Sequence, residues 1–88
     1  MKTIYKYKLS PLAASEVITM PAHSLPLSVS FQRNELFMWV QVDTCRVDVE
    51  RKFEVFGTGH DMPNDVSHRY IGTAHEDSGL VFHLFEIF

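Results

Sequence analysis

Leu36-Phe37-Met38-Trp39-Val40-Gln41-Val42-Asp43 is the stretch that decides the fold. From Leu36 to Val40 it is apolar on both alternating faces, the pattern of a strand covered on both sides and placed centrally in a sheet. Just before it, Leu27, Val29 and Phe31 alternate with Ser28, Ser30 and Gln32, the period of two of a half-buried strand. Arg33-Asn34-Glu35 separates the two, and Asn tolerates the left-handed backbone that a tight hairpin requires. The two stretches are therefore expected to pair as an antiparallel hairpin.

Working outward, the same alternation recurs. Tyr5, Tyr7 and Leu9 share one face of a strand from Thr3 to Leu9, with Lys6 and Lys8 on the other. Ser10-Pro11 breaks it, and Glu16 to Met20 is a short β-branched segment stopped by Pro21. Leu12-Ala13-Ala14 has the propensity for a single helical turn within Ser10 to Ser15, and Ala22 to Pro26 reads as a loop. Beyond the hairpin, Arg46 to Phe56 alternates again, with Val47 and Val49 on one side and Asp48 and Glu50 on the other. Gly57 to Asp65 is the strongest turn-forming stretch of the chain. Arg69 to Ala74 and Leu80 to Phe88 then form a second hairpin across Glu76-Asp77-Ser78-Gly79. Short strands at regular spacing, without a long amphipathic helix, predict an all-β fold: a small antiparallel sandwich or barrel of six to seven short strands. Residues 1–88 form a single β domain, with no linker and no repeat.

Composition narrows the function. A net charge of -3 offers no general attraction for a polyanion, so general nucleic-acid binding is not expected. Lys2, Lys6 and Lys8 nevertheless crowd the first strand, where lysines on an edge block edge-to-edge aggregation. Cys45 is the only cysteine, which rules out an intramolecular disulfide and fits a reducing cytoplasm. The opening residues lack the apolar stretch of a signal peptide, and no run approaches the roughly 20 apolar residues of a membrane span. The expected location is the cytoplasm, away from membranes.

The chemistry-bearing motifs are sparse. Gly57-Thr58-Gly59-His60 is echoed by Gly72-Thr73-Ala74-His75. Successive glycines let backbone N–H groups converge on an anion, Thr adds a hydroxyl donor and protonated His adds charge, so Gly57, Thr58, Gly59, His60, Thr73 and His75 are the candidate ligand-binding residues. The competing reading is a plain turn, since no P-loop spacing and no following helix accompany the motif. His60, Asp61, His68 and His75 have metal-ligand chemistry but match no ligand spacing, so neither a metal site nor a cofactor is expected. His83, inside Leu80-Val81-Phe82-His83-Leu84-Phe85, reads as a satisfied core histidine. No Ser, Thr or Cys sits in a nucleophile elbow, and the expectation is that the protein is not an enzyme. Trp39 reads as a core or interface anchor.

The opening Met1-Lys2-Thr3-Ile4-Tyr5-Lys6-Tyr7, the Leu36 to Asp43 strand, Phe53 through His60, Tyr70-Ile71-Gly72-Thr73 and Leu80 to Glu86 together resemble a family of small uncharacterised proteins encoded by tailed bacteriophages and prophages. The resemblance assigns no activity and no catalytic residue. It implies a phage accessory protein in a bacterial host cytoplasm. Thr44 to Val49 departs from that pattern, which argues against a site at Cys45. Two functions from different classes follow: a binding module acting on a host or phage protein, or capture of an anionic, nucleotide-like small molecule through Gly57 to His60.

The closing strand bears on assembly. Phe82, Leu84 and Phe88 occupy one face and Val81, Phe85 and Ile87 the other. A chain this short has little protein to cover both, so Phe85, Ile87 and Phe88, with Trp39, are candidate interface residues for a homodimer. The alternative is a monomer in which this is a central strand, covered by the Leu36 to Val40 strand on one side and by loops on the other.

Overall fold

The computed structural model describes residues 1–11 and 15–88. The helical turn considered for Ser10 to Ser15 falls on 12–14, outside the described residues. Seven strands follow in order: β1 (Lys2–Leu9), β2 (Glu16–Pro21), β3 (Leu25–Gln32), β4 (Glu35–Asp43), β5 (Asp48–Gly57), β6 (His68–His75) and β7 (Val81–Ile87). They form two antiparallel sheets, β1-β4-β3 and β2-β5-β7-β6. The Cα trace is 17 Å deep, which suits two layers packed about 10 Å apart. Of the sandwich or barrel expected from the alternation, the all-β sandwich is what forms. No helix among the described residues is long and apolar enough to cross a membrane.

β4 is the middle strand of its sheet, and its even residues Leu36, Met38, Val40 and Val42 are all fully buried against the opposite layer. Its odd residues Phe37 and Trp39 are only half-buried, so β4 is covered from one side, and the apolar run spans a core face and a surface face. Leu9, Met20, Val29, Phe53, Ala74 and Leu84 complete the core. The β3–β4 hairpin turns on Arg33 and Asn34, at φ values of 53° and 65°, between the paired Gln32 and Glu35. Positive φ at both central residues marks the two-residue turn whose twist matches its strands. Arg carries a steric cost there that Asn-Gly avoids. Arg33→Asn with Asn34→Gly is expected to stabilise the protein by about 1 kcal/mol, read as a higher urea midpoint with an unchanged slope.

The two sheets close on one another where β3 approaches β6. A Cβ on Gly72 would lie 3.0 Å from Val29 Cγ1, so glycine is what lets these strands approach so closely. A register shift between Tyr70 and Gly72 bends β6 at the same place. On the opposite side β1 overhangs. Its residues from Lys2 to Lys6 are all exposed, including Thr3 and Tyr5, which point toward the core side of their sheet.

Candidate functional site

The outer face of β1-β4-β3 has a regular construction. The register places Trp39 between Lys6 of β1 and Ser28 of β3, and Phe37 between Lys8 and Ser30. Each half-buried aromatic ring thus has a lysine on one flank and a small serine on the other. Phe37 and Trp39 meet edge to face, with centroids 6.1 Å apart. The Lys6 ammonium lies 4.4 Å from the Phe37 centroid and donates to Gln32 Oε1 at 2.9 Å. Lys8 reaches Glu35 at 3.4 Å, an exposed pair that contributes little to stability. The serines leave room beside the rings, and a shallow hollow walled by Ile4, Leu27 and Trp39 opens over Ser28 and Ser30. Ile4 is 56% exposed and Leu27 44% exposed. Among the described residues no element lies over this face.

The other sheet carries the Gly57 to His60 loop. His60 N–H donates to Gly57 C=O at 3.0 Å and Thr58 N–H to Val81 C=O at 3.1 Å, while Gly59 adopts φ +87° to reverse the chain. Two of the amides that would hold an anion are therefore spent on the turn. Thr58 and Thr73 come together, but on a protein partner: Thr58 Oγ1 lies 2.8 Å from His83 Nε2, and Thr73 Oγ1 lies 3.0 Å from His83 Nδ1. Tyr70 Oη extends the chain of hydroxyls, 2.6 Å from Thr73 Oγ1. His83 is satisfied on both nitrogens, on the outer face of β7 rather than in the core. His75 stays apart, beside Arg33, Asn34, Glu76 and Asp77. Among the described residues, no three His, Cys, Asp or Glu side chains converge as metal ligands.

The candidate interface residues divide between the two faces. Trp39 lies on the outside of one sheet; Phe85 and Ile87 lie on the outside of the other. Phe85 is already ringed by Phe56, His68 and Tyr70 at centroid distances of 5.7, 4.9 and 5.5 Å. Phe88 is exposed, with the Arg69 guanidinium 5.5 Å over its ring.

Sequence reasoning missed one cluster. Glu86 is 3% exposed on the inner face of β7 and accepts from Arg51 Nε at 2.6 Å and Nη2 at 2.7 Å, and from Arg69 Nη2 at 3.3 Å. These groups line an open cleft of about 610 Å³ at one end of the sandwich. The available signal was phase: Glu86 falls in step with Phe82 and Leu84, so a carboxylate enters the core face and requires a cation.

The family model of a domain of unknown function, DUF7352, matches residues 1–87, and the chain belongs to that family. No curated protein and no solved structure matches it significantly.

Proposed function

We propose that this member of the DUF7352 family is a non-catalytic binding module that docks on another protein through the outer face of β1-β4-β3. The observation that supports this reading is the uncovered pair Phe37 and Trp39, with a hollow beside them and lysines along one flank. Aromatic rings held on a rigid sheet and left open to solvent are the anchors that protein interfaces favour. The lysines suit a partner with acidic residues around an apolar centre. The resemblance to phage-encoded proteins suggests a phage accessory protein whose target is a host or phage protein in the bacterial cytoplasm. Capture of a small anion by Gly57 to His60 is less favoured, because the Thr58 amide and hydroxyl and the His60 amide are engaged within the chain.

The Trp39 and Phe37 rings are half-buried but point away from the core, so Trp39→Ala with Phe37→Ser should lower the melting temperature by roughly 5–10 °C and leave the protein folded at room temperature. Loss of two anchors is expected to weaken the complex by about 700-fold, from about 2 kcal/mol per hot-spot residue and about 4 kcal/mol together. Pull-down from host lysate with the wild-type chain, followed by titration of the retained protein against the variant, measures this. Retention that is equal for wild type and variant would place the interface elsewhere, and Ile87→Ser with Phe88→Ser would then test the opposite face and its proposed homodimer.

A further inference from the structure

The geometry points to β1 as an acceptor strand: we propose that the partner adds an extended, acidic segment to its free edge. This rests on the docking reading above and specifies how the partner engages the same sheet. Among the described residues β1 pairs only with β4, and its eight register positions run from Lys2↔Asp43 to Leu9↔Leu36 without a shift. The other sheet edges are blunted. β3 contains Pro26 and a register shift and abuts β6, β6 is bent at Tyr70/Gly72, and β2 is six residues long and ends in Pro21. β1 is also fixed at both ends. Thr44 N–H and Oγ1 donate to Met1 C=O at 2.9 and 3.2 Å, and Leu9 is buried in the core. A preformed edge spares an incoming strand part of the ordering cost.

Side chains select what the edge accepts. Lys2, Lys6 and Lys8 face outward and Thr3, Tyr5 and Tyr7 inward, with Tyr5 41% exposed where the opposite sheet falls short. A second copy of β1 is a poor occupant. Antiparallel pairing centred on Tyr5 sets Lys2 against Lys8, centring on Ile4 sets Lys2 against Lys6, centring on Lys6 sets Lys6 against itself, and centring on Tyr7 sets Lys6 against Lys8. Like charges directly opposite disfavour each of these registers. A strand with carboxylates opposite the lysines and β-branched residues opposite Thr3, Tyr5 and Tyr7 satisfies both faces.

The test uses the full chain and the end-capped peptide Glu-Val-Glu-Val-Val-Thr-Glu, followed by amide NMR. The expected result is shifts and slowed exchange confined to Thr3 through Lys8 and adjoining β4. Lys2→Glu with Lys6→Glu should weaken this peptide roughly tenfold and strengthen its Lys-for-Glu counterpart, while thermal melting confirms the fold. N-methylation of the alternate amides facing β1 should abolish binding. Three results would overturn strand addition: equal binding by the N-methylated peptide, no β1 response at millimolar peptide, or oligothymidylate displacing the peptide. The peptide assay needs no natural partner, so its failure beside a Trp39-dependent pull-down would remove strand addition and leave face docking standing.

Discussion

Glu86→Ala is expected to destabilise the protein by about 3–5 kcal/mol, because removing one partner of a buried ion pair leaves the other charge uncompensated. The stranded group is Arg51, held by Glu86 on one side and donating Nη1 to Ser24 C=O at 2.5 Å on the other. Against a total of about 5–15 kcal/mol for a small domain, the loss brings the chain close to unfolding. A pH series separates the charge from the shape. Burial alone would raise the Glu86 carboxyl, but hydrogen bonds and charge from Arg51, then from Arg69, hold it below its ordinary value of 4.5. A carboxyl depressed in the folded state stabilises fully above its unfolded value, and this contribution fades as pH falls through the folded one. Wild type should therefore lose its advantage over Glu86→Gln as pH drops below about 4.5, measured as converging urea midpoints.

Phe53→Ala should cost a similar amount, about 3–5 kcal/mol, the usual range for truncating a buried Phe. Phe53 is 1% exposed and stands where β5 changes neighbours: it pairs with Glu16 of β2 on one side and with Glu86 of β7 on the other. The cavity would open in the one strand that joins β2 to the rest of its sheet. Arg51 Cζ lies 5.9 Å from the Phe53 ring, so the Phe53 and Glu86 substitutions share a neighbour and should not add. Chemical denaturation of both single variants and the double variant measures that coupling.

Local alternation carried most of the architecture. Val29 and Phe31 against Ser28 and Ser30, and Tyr7 and Leu9 against Lys6 and Lys8, announce strands because side chains at a period of two choose between core and solvent. Which strands become neighbours is a matter of long-range pairing, and alternation is silent about it. The apolar run Leu36 to Val40 shows the limit: Phe37 and Trp39 have the same residue chemistry as Met38 and Val40, and only the absence of a layer over them distinguishes a surface from a core. The site was legible in pieces. Trp39 stands out by its type, and Thr58 and Thr73 by an echo in the chain. The meeting of Thr58 and Thr73 on His83 follows from β7 lying between β5 and β6, and the separation of Trp39 from Phe85 follows from β4 and β7 lying in different sheets. Arg51 and Glu86 carried a signal only when strand phase was applied to a charged residue.

The order of β1-β4-β3 also sets a timetable for folding. Hairpins β3–β4 and β6–β7 close over short turns, and such closures take about microseconds. Lys2 must find Asp43, and Lys52 must find Ile87, across long stretches of chain. Topologies dominated by such distant pairings fold in about milliseconds to seconds. During synthesis β1 leaves the ribosome before β4 and waits for that partner until β4 has emerged. Throughout that interval Lys2, Lys6 and Lys8 repel the same strand on a neighbouring nascent chain, so the strand's charge acts before the protein has folded.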